Sequence, residues 1–171
     1  DMFLLSFYLR GIPFVDLVHL RKTDVKHNTI YYYRHKTRQQ LSVHIESYAA
    51  QIINRYKNEA ASSPYLLLIL SLTGEDGYRQ YKSALRLYNQ HLHTLSKMLR
   101  LSIPLTSYVA RHSWATTAKD EGVAISVISE SLGHTSEKVT HVYLASFDNN
   151  AMSRANKKVI ATIHPNKKKK P

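Results

Sequence analysis

The chain holds 171 residues, enough for one globular domain with a sizeable core. A hydrophobic content of 43% excludes low-complexity disorder for all but the C-terminal tail, and the lack of Cys excludes disulfides, thiolate catalysis and Cys-based zinc sites. Lys and Arg outnumber Asp and Glu by 24 to 12, and only four of those cations fall in the terminal run 167–170, so the body is itself basic and favours a polyanion such as DNA or RNA.

The chain opens on Phe3, Leu4, Phe7 and Tyr8 at helical spacing, with Gly11 as the stop. This start has no basic leader or cleavage site, and it reads as the inside of a helix cut from a longer protein. Pro13 suits the first turn of a second short helix whose buried stripe is Phe14, Leu17, Val18 and Leu20. Residues 29–33 are β-branched and aromatic and predict a strand. Leu41, Val43 and Ile45 alternate with polar residues and predict its partner, and a short strand near Asp24 and Val25 completes a small antiparallel sheet. The hairpin tip between them is cationic, Arg34-His35-Lys36-Thr37-Arg38-Gln39.

Ile52, Ile53 and Tyr56 predict a helix that ends before Ser62-Ser63-Pro64, and residues 73–77 read as a loop. Tyr81, Leu85, Tyr88, Leu92, Leu95 and Leu99 then form one continuous helical stripe, which marks core. Ser107 is placed to cap a helix over 108–121, ended by Gly122. A short helix over 125–132 closes at Gly133, and Ser136 precedes another that carries Val139 and Tyr143. A last amphipathic helix is expected over 147–163, followed by a basic, disordered tail over 164–171. The longest apolar run, 66–70, falls far short of the roughly 20 residues that span a bilayer. The expected fold is mainly α with a small antiparallel β-sheet, an α+β domain over residues 1–163.

Three segments belong together. Residues 108–116 read Tyr108-Val109-Ala110-Arg111-His112-Ser113-Trp114-Ala115-Thr116, residues 132–136 read Leu132-Gly133-His134-Thr135-Ser136, and Tyr143 lies nine residues past His134. This ordered set resembles the C-terminal signature of the tyrosine recombinases, the phage-type integrase family: His-x-x-Arg-His on a helix, a Leu-Gly-His turn, and a Tyr nine residues on. Gly11 with Asp16-Leu17-Val18-His19-Leu20 resembles that family's Gly-Leu-Arg-x-x-Glu-Leu-x-x-Leu box, with Asp for Glu, and His35-Lys36-Thr37 resembles its hairpin Lys-Thr.

The resemblance implies a catalytic domain that cleaves and rejoins DNA strands through a 3′-phosphotyrosine intermediate. It implies that the separate N-terminal DNA-binding domain usual in the family is missing from this chain. The location it implies is the bacterial cytoplasm, at the nucleoid. Tyr143 becomes the nucleophile. Arg111 clamps nonbridging phosphate oxygens, because its planar fork bonds two of them and keeps its proton. His134 donates to the phosphate or exchanges protons, and Lys36 protonates the leaving 5′ oxygen. Arg34, His35, Lys36 and Arg38 form a DNA contact at the tip. His112 is expected on the other side of the helix from Arg111.

Two positions depart from the pattern, and a subgroup of mobile-element integrases resembles the chain at both. Tyr108 stands for the His of His-x-x-Arg; its hydroxyl can bond a phosphate but is a poor base at neutral pH. Pro13 stands where the first catalytic Arg belongs, and Arg10, just before Gly11, is the expected stand-in. The partners implied are double-stranded DNA and further copies of the chain, four on DNA linked through the 147–163 helix. No cofactor or metal is required, and the ten His show no paired spacing with carboxylates. Two other readings stay open. A non-catalytic helix-turn-helix reader would use the short helices of 108–143 without attack by Tyr143. A type IB topoisomerase would share the phosphotyrosine chemistry but relax DNA instead of exchanging strands.

Overall fold

A computed structural model of the chain describes residues 1–145. The expected helix over 147–163 and the tail lie outside the described residues. Helix α1 spans Met2–Tyr8. Its buried line is Leu5 and Leu9, continued by Ile12, while Leu4 faces outward. The pair four residues apart, Leu5 and Leu9, faces the core, with Met2 and Tyr8 packed against it. Arg10 and Gly11 both take positive φ and reverse the chain. Pro13 is the N-cap of α2, Phe14–His19, and this helix buries Phe14, Leu17 and Val18 as expected, together with Asp16.

The antiparallel sheet has the order β1-β2-β3, with β1 at Val25–Lys26, β2 at Thr29–Tyr33 and β3 at Gln40–His44. His27 and Asn28 link β1 to β2 with φ of 48° and 58°, the tight hairpin in which both central residues are left-handed. Register pairs Ile30 with Val43 and Tyr32 with Leu41, and these four side chains form the buried face. Ile45 falls just past β3, its N–H held by the Asn28 carbonyl at 2.7 Å.

Helix α3, Ser47–Tyr56, buries Ala49 and Ile52. Helix α4 runs from Gly74 to Met98 and so absorbs most of the expected loop. Glu75 and Asp76 sit in its first turn, where carboxylates favour the helix dipole. Gly77 is required there because a Cβ would stand 2.6 Å from the Leu72 carbonyl oxygen. The long stripe is buried only in part: Tyr81, Leu85 and Tyr88 pack on Phe14, Val18, Tyr65 and Leu70, whereas Leu95 and Leu99 are exposed because the helix runs on past that cluster.

Helix α5 spans Val109–Asp120 with Tyr108 as N-cap. Ser107 does not cap it; its own N–H is bound by Asn89 Oδ1 at 2.7 Å, which ties α5 to α4. Helix α6, Ile125–Leu132, ends on Gly133 in the left-handed conformation as expected, and α7 spans Glu137–Ala145. Ala115, Ile128, Leu132 and Leu144 form a separate core for these last three helices. Packing of α1 on α5 joins this part to the sheet core. Among the described residues no helix is long and apolar enough to cross a membrane. The mainly helical α+β fold with one small antiparallel sheet is the one expected from sequence.

Candidate active site

Arg111 sits at the centre of the site, 2% exposed, on the first turn of α5. Its place depends on Gly11. A Cβ on that residue would stand 2.7 Å from the Arg111 Cα, so only glycine admits the close approach of α5. Arg111 Nη1 donates to the Gly11 carbonyl at 3.1 Å and Nη2 to the Leu132 carbonyl at 2.5 Å. The turn after α1, the start of α5 and the end of α6 thus meet at one guanidinium. Burial, with a smaller push from Arg34, lowers its pKa to about 10, so it stays protonated at neutral pH.

His134 follows Gly133, whose left-handed turn carries the chain out of α6. Its Nε2 lies 3.4 Å from Arg111 Nη2 and its Nδ1 lies 2.8 Å from Thr140 Oγ1. A guanidinium only donates, so Nε2 carries the lone pair and Nδ1 carries the proton, donated to Thr140. Burial, then the charges of Arg111, Arg34 and Lys36, holds the His134 pKa down at about 4. The imidazole is neutral at neutral pH.

Tyr143 and Thr140 stand three residues apart on α7 and share its inner face. The Tyr143 ring lies edge-on to His134, with centroids 5.6 Å apart. Burial raises the Tyr143 pKa well above the usual phenol range, against an opposing pull from Arg111. His112, expected on the far side of α5, instead stacks on Tyr143 at 4.6 Å and 13°. Tyr108, one turn earlier, meets the same imidazole at 5.1 Å. The spacing of four residues places both on one face, and burial lowers the His112 pKa.

The hairpin tip docks onto this cluster. Thr37 Oγ1 donates to the Gly133 carbonyl at 3.3 Å, which brings the exposed Lys36 near enough to act on the His134 charge. His35 and Arg38 are exposed on the same tip. Arg34, grouped with them as a surface cation, is instead buried at 5% exposure. Its Nη1 donates to the Leu132 carbonyl at 3.2 Å and its Nε stands 3.7 Å from Asp16 Oδ2. Asp16 Oδ1 accepts the His35 N–H at 2.8 Å, so this carboxylate fixes the base of the tip. Burial raises the Asp16 pKa, more than its hydrogen bond and the nearby cations lower it.

Arg10 does not join the cluster through its hydrogen bonding. Its guanidinium donates to the Ser42 carbonyl of β3 at 3.4 Å, and it lines a cleft with Gln39, Gln40, Val127 and Glu130. The bend at Gly11 brings α5 close, and the hydrogen bond of the Arg10 guanidinium goes to the β3 backbone. Sequence reading also gave no role to Asp16, Thr140 or the Leu132 carbonyl. For Thr140 the available signal was its spacing three residues before Tyr143, and for Asp16 its place in the box after Gly11. Among the described residues no group of three or more His, Asp and Glu could hold a metal ion.

Residues 2–150 match the sequence profile of the phage integrase family. No curated protein matches the chain. Among solved structures, the XerA recombinase is 20% identical with a TM-score of 0.65, over 95% of this chain and 57% of that one. The Tn1549 transposon integrase, in complex with transposon right end DNA, is 16% identical with a TM-score of 0.62, over 93% and 57%. A lambda integrase dimer bound to a COC′ core site is 15% identical with a TM-score of 0.55, over 86% and 53%. The chain therefore spans a little over half the length of these structures.

Proposed function

Because the chain belongs to the phage integrase family, the tyrosine recombinases, we propose that it is the part of a site-specific DNA recombinase that cleaves and rejoins strands. The observation that carries this reading is the meeting of Arg111, His134 and Tyr143, from three separate segments, around one buried guanidinium. DNA is the partner favoured by the basic body and by the DNA complexes of structurally similar recombinases.

In the proposed step, Tyr143 Oη forms a bond to the scissile phosphorus as the bond to the 5′ oxygen breaks. A phenol with a raised pKa does not ionise unaided at neutral pH, so a base is needed. The neutral His134 offers the Nε2 lone pair and takes the proton. Its basicity is low beside bare cations, and a phosphate anion offsets those charges and raises it. Lys36, on the docked tip, gives a proton to the departing 5′ oxygen. Arg111 meets the second negative charge that builds on the pentavalent phosphorus, and the exposed Tyr108 hydroxyl adds a donor at the mouth. Rejoining runs the same transfers backward, with an incoming 5′ hydroxyl as nucleophile and Tyr143 as leaving group.

The test uses nicked suicide duplexes with randomised arms, incubated with the full chain, denatured, and recovered through the attached protein. Expected is a denaturant-resistant 3′-phosphotyrosyl adduct that enriches one sequence and is absent with Tyr143→Phe. Binding without any adduct would support a non-catalytic reader instead.

A further inference from the structure

Pro13 stands where the family has a second cation, and a second buried guanidinium stands beside Arg111. Arg34 and Arg111 approach one oxygen: Nη1 of the first lies 3.2 Å and Nη2 of the second 2.5 Å from the Leu132 carbonyl. Both side chains are nearly fully buried. Gly133 leaves room for this, since a Cβ there would stand 3.1 Å from Arg34 Cδ.

Two buried guanidiniums side by side repel, and burial strips them of water. The neighbouring carboxylate, Asp16, stands 3.7 Å from Arg34 Nε and also serves the His35 N–H. One carboxylate against two guanidiniums leaves the cluster net positive. Ten N–H donors face few acceptors: the Leu132 and Gly11 carbonyls, the Asp16 carboxylate and His134 Nε2. Such a cluster is costly alone and complementary to an anion that gains charge on reaction. The charges that act on His134 and Tyr143 accordingly include Arg34 as well as Arg111. A second arginine also matches the chemistry, since one fork cannot serve both nonbridging oxygens as well as two. Resting on the strand-cleavage reading above, we propose that Arg34 is the second catalytic arginine, which joins Arg111 on the scissile phosphate in place of the donor that Pro13 lacks.

The experiment uses the full chain and the duplex recovered from the randomised pool, made with either an ordinary scissile phosphate or a methylphosphonate. The methylphosphonate carries no charge on its nonbridging groups and so relieves the need for one cation. Arg34→Ala is expected to cut adduct formation on phosphate by about 100-fold or more, with DNA binding changed only a few-fold. On the methylphosphonate its adduct yield should return to within about 10-fold of the unsubstituted chain, as it should for Arg111→Ala. If Arg34→Ala does not fold, Arg34→Gln with Asp16→Asn removes both buried charges together and takes its place. A structural role for Arg34 would give a loss that the methylphosphonate does not restore while it does restore Arg111→Ala, and that result overturns the proposal, as does near-full cleavage of phosphate by the Arg34 variants. Absence of any adduct from the unsubstituted chain would instead overturn strand cleavage itself, and this assignment with it.

Discussion

Tyr143 and His134 are each held in the neutral form, by the same burial acting on opposite signs of charge. For His134 this has a consequence for stability. Its pKa is about 4 when folded and near 6.5 when unfolded. Between those values the unfolded chain takes up a proton that the folded chain refuses, so stability is full above pH 6.5 and falls as pH drops toward 4. Thermal melts at pH 7 and pH 4.5 should show that loss, and His134→Gln should lose less over the same interval. His112 shifts the same way and remains in both proteins as a common background. An equal drop for the two proteins would mean that His134 is not kept neutral by its surroundings. Thr140 sets the tautomer, so Thr140→Val should lower cleavage while Thr140→Ser retains it; 15N shifts of the imidazole would report the change directly.

At the scale of elements, the site depends on two close approaches. The first is α5 against the turn after α1, where Gly11 has φ +69° and no space for a Cβ. Gly11→Ala adds backbone strain to overpacking and should cost about 2–4 kcal/mol, read from urea unfolding. A change below half a kcal/mol would mean that the turn rebuilds easily. The second approach is the hairpin tip on the turn after α6. Thr37→Val removes the bond to the Gly133 carbonyl without removing any charge. Cleavage should fall several-fold with little change in DNA affinity, because Lys36 loses its seat and the phosphate contacts persist. Equal losses in both measurements would make the tip a plain DNA-backbone contact.

For the whole molecule, on the proposed function, charge sets how it meets DNA. With 24 Lys and Arg against 12 Asp and Glu, the affinity should fall steeply with salt, with a slope that counts the phosphates neutralised. Removing residues 164–171 takes away four lysines, and the slope should drop by at most about 3.6 if all of them contact phosphate. No change in slope would place the tail off the DNA. Removing everything after Asn149 is expected to leave single-site binding intact and to abolish the cooperative assembly of copies on one duplex, measured by gel shift over a protein titration. Loss of folding in that truncation would assign the segment 147–163 to its own domain instead.

Sequence by itself determined most elements and the ordered triad, for a local reason. Period-3.6 stripes, the alternation in the hairpin and glycine stops at 122 and 133 report on neighbours within a few residues, and the spacing of Arg111, His134 and Tyr143 is written along one stretch of chain. It misjudged the start of α4, where two glycines suggested a loop although the acidic first turn suited a helix. It could not decide which cations are buried side by side. Arg34 and the exposed cations Lys36 and Arg38 look alike in a basic tip, and Arg10 looks free to bend at Gly11. Only the tertiary structure separates them: Arg34 turns inward onto a carbonyl 98 residues away, whereas Arg10 meets the β3 backbone. Burial and charge balance depend on such distant neighbours, which no local pattern encodes.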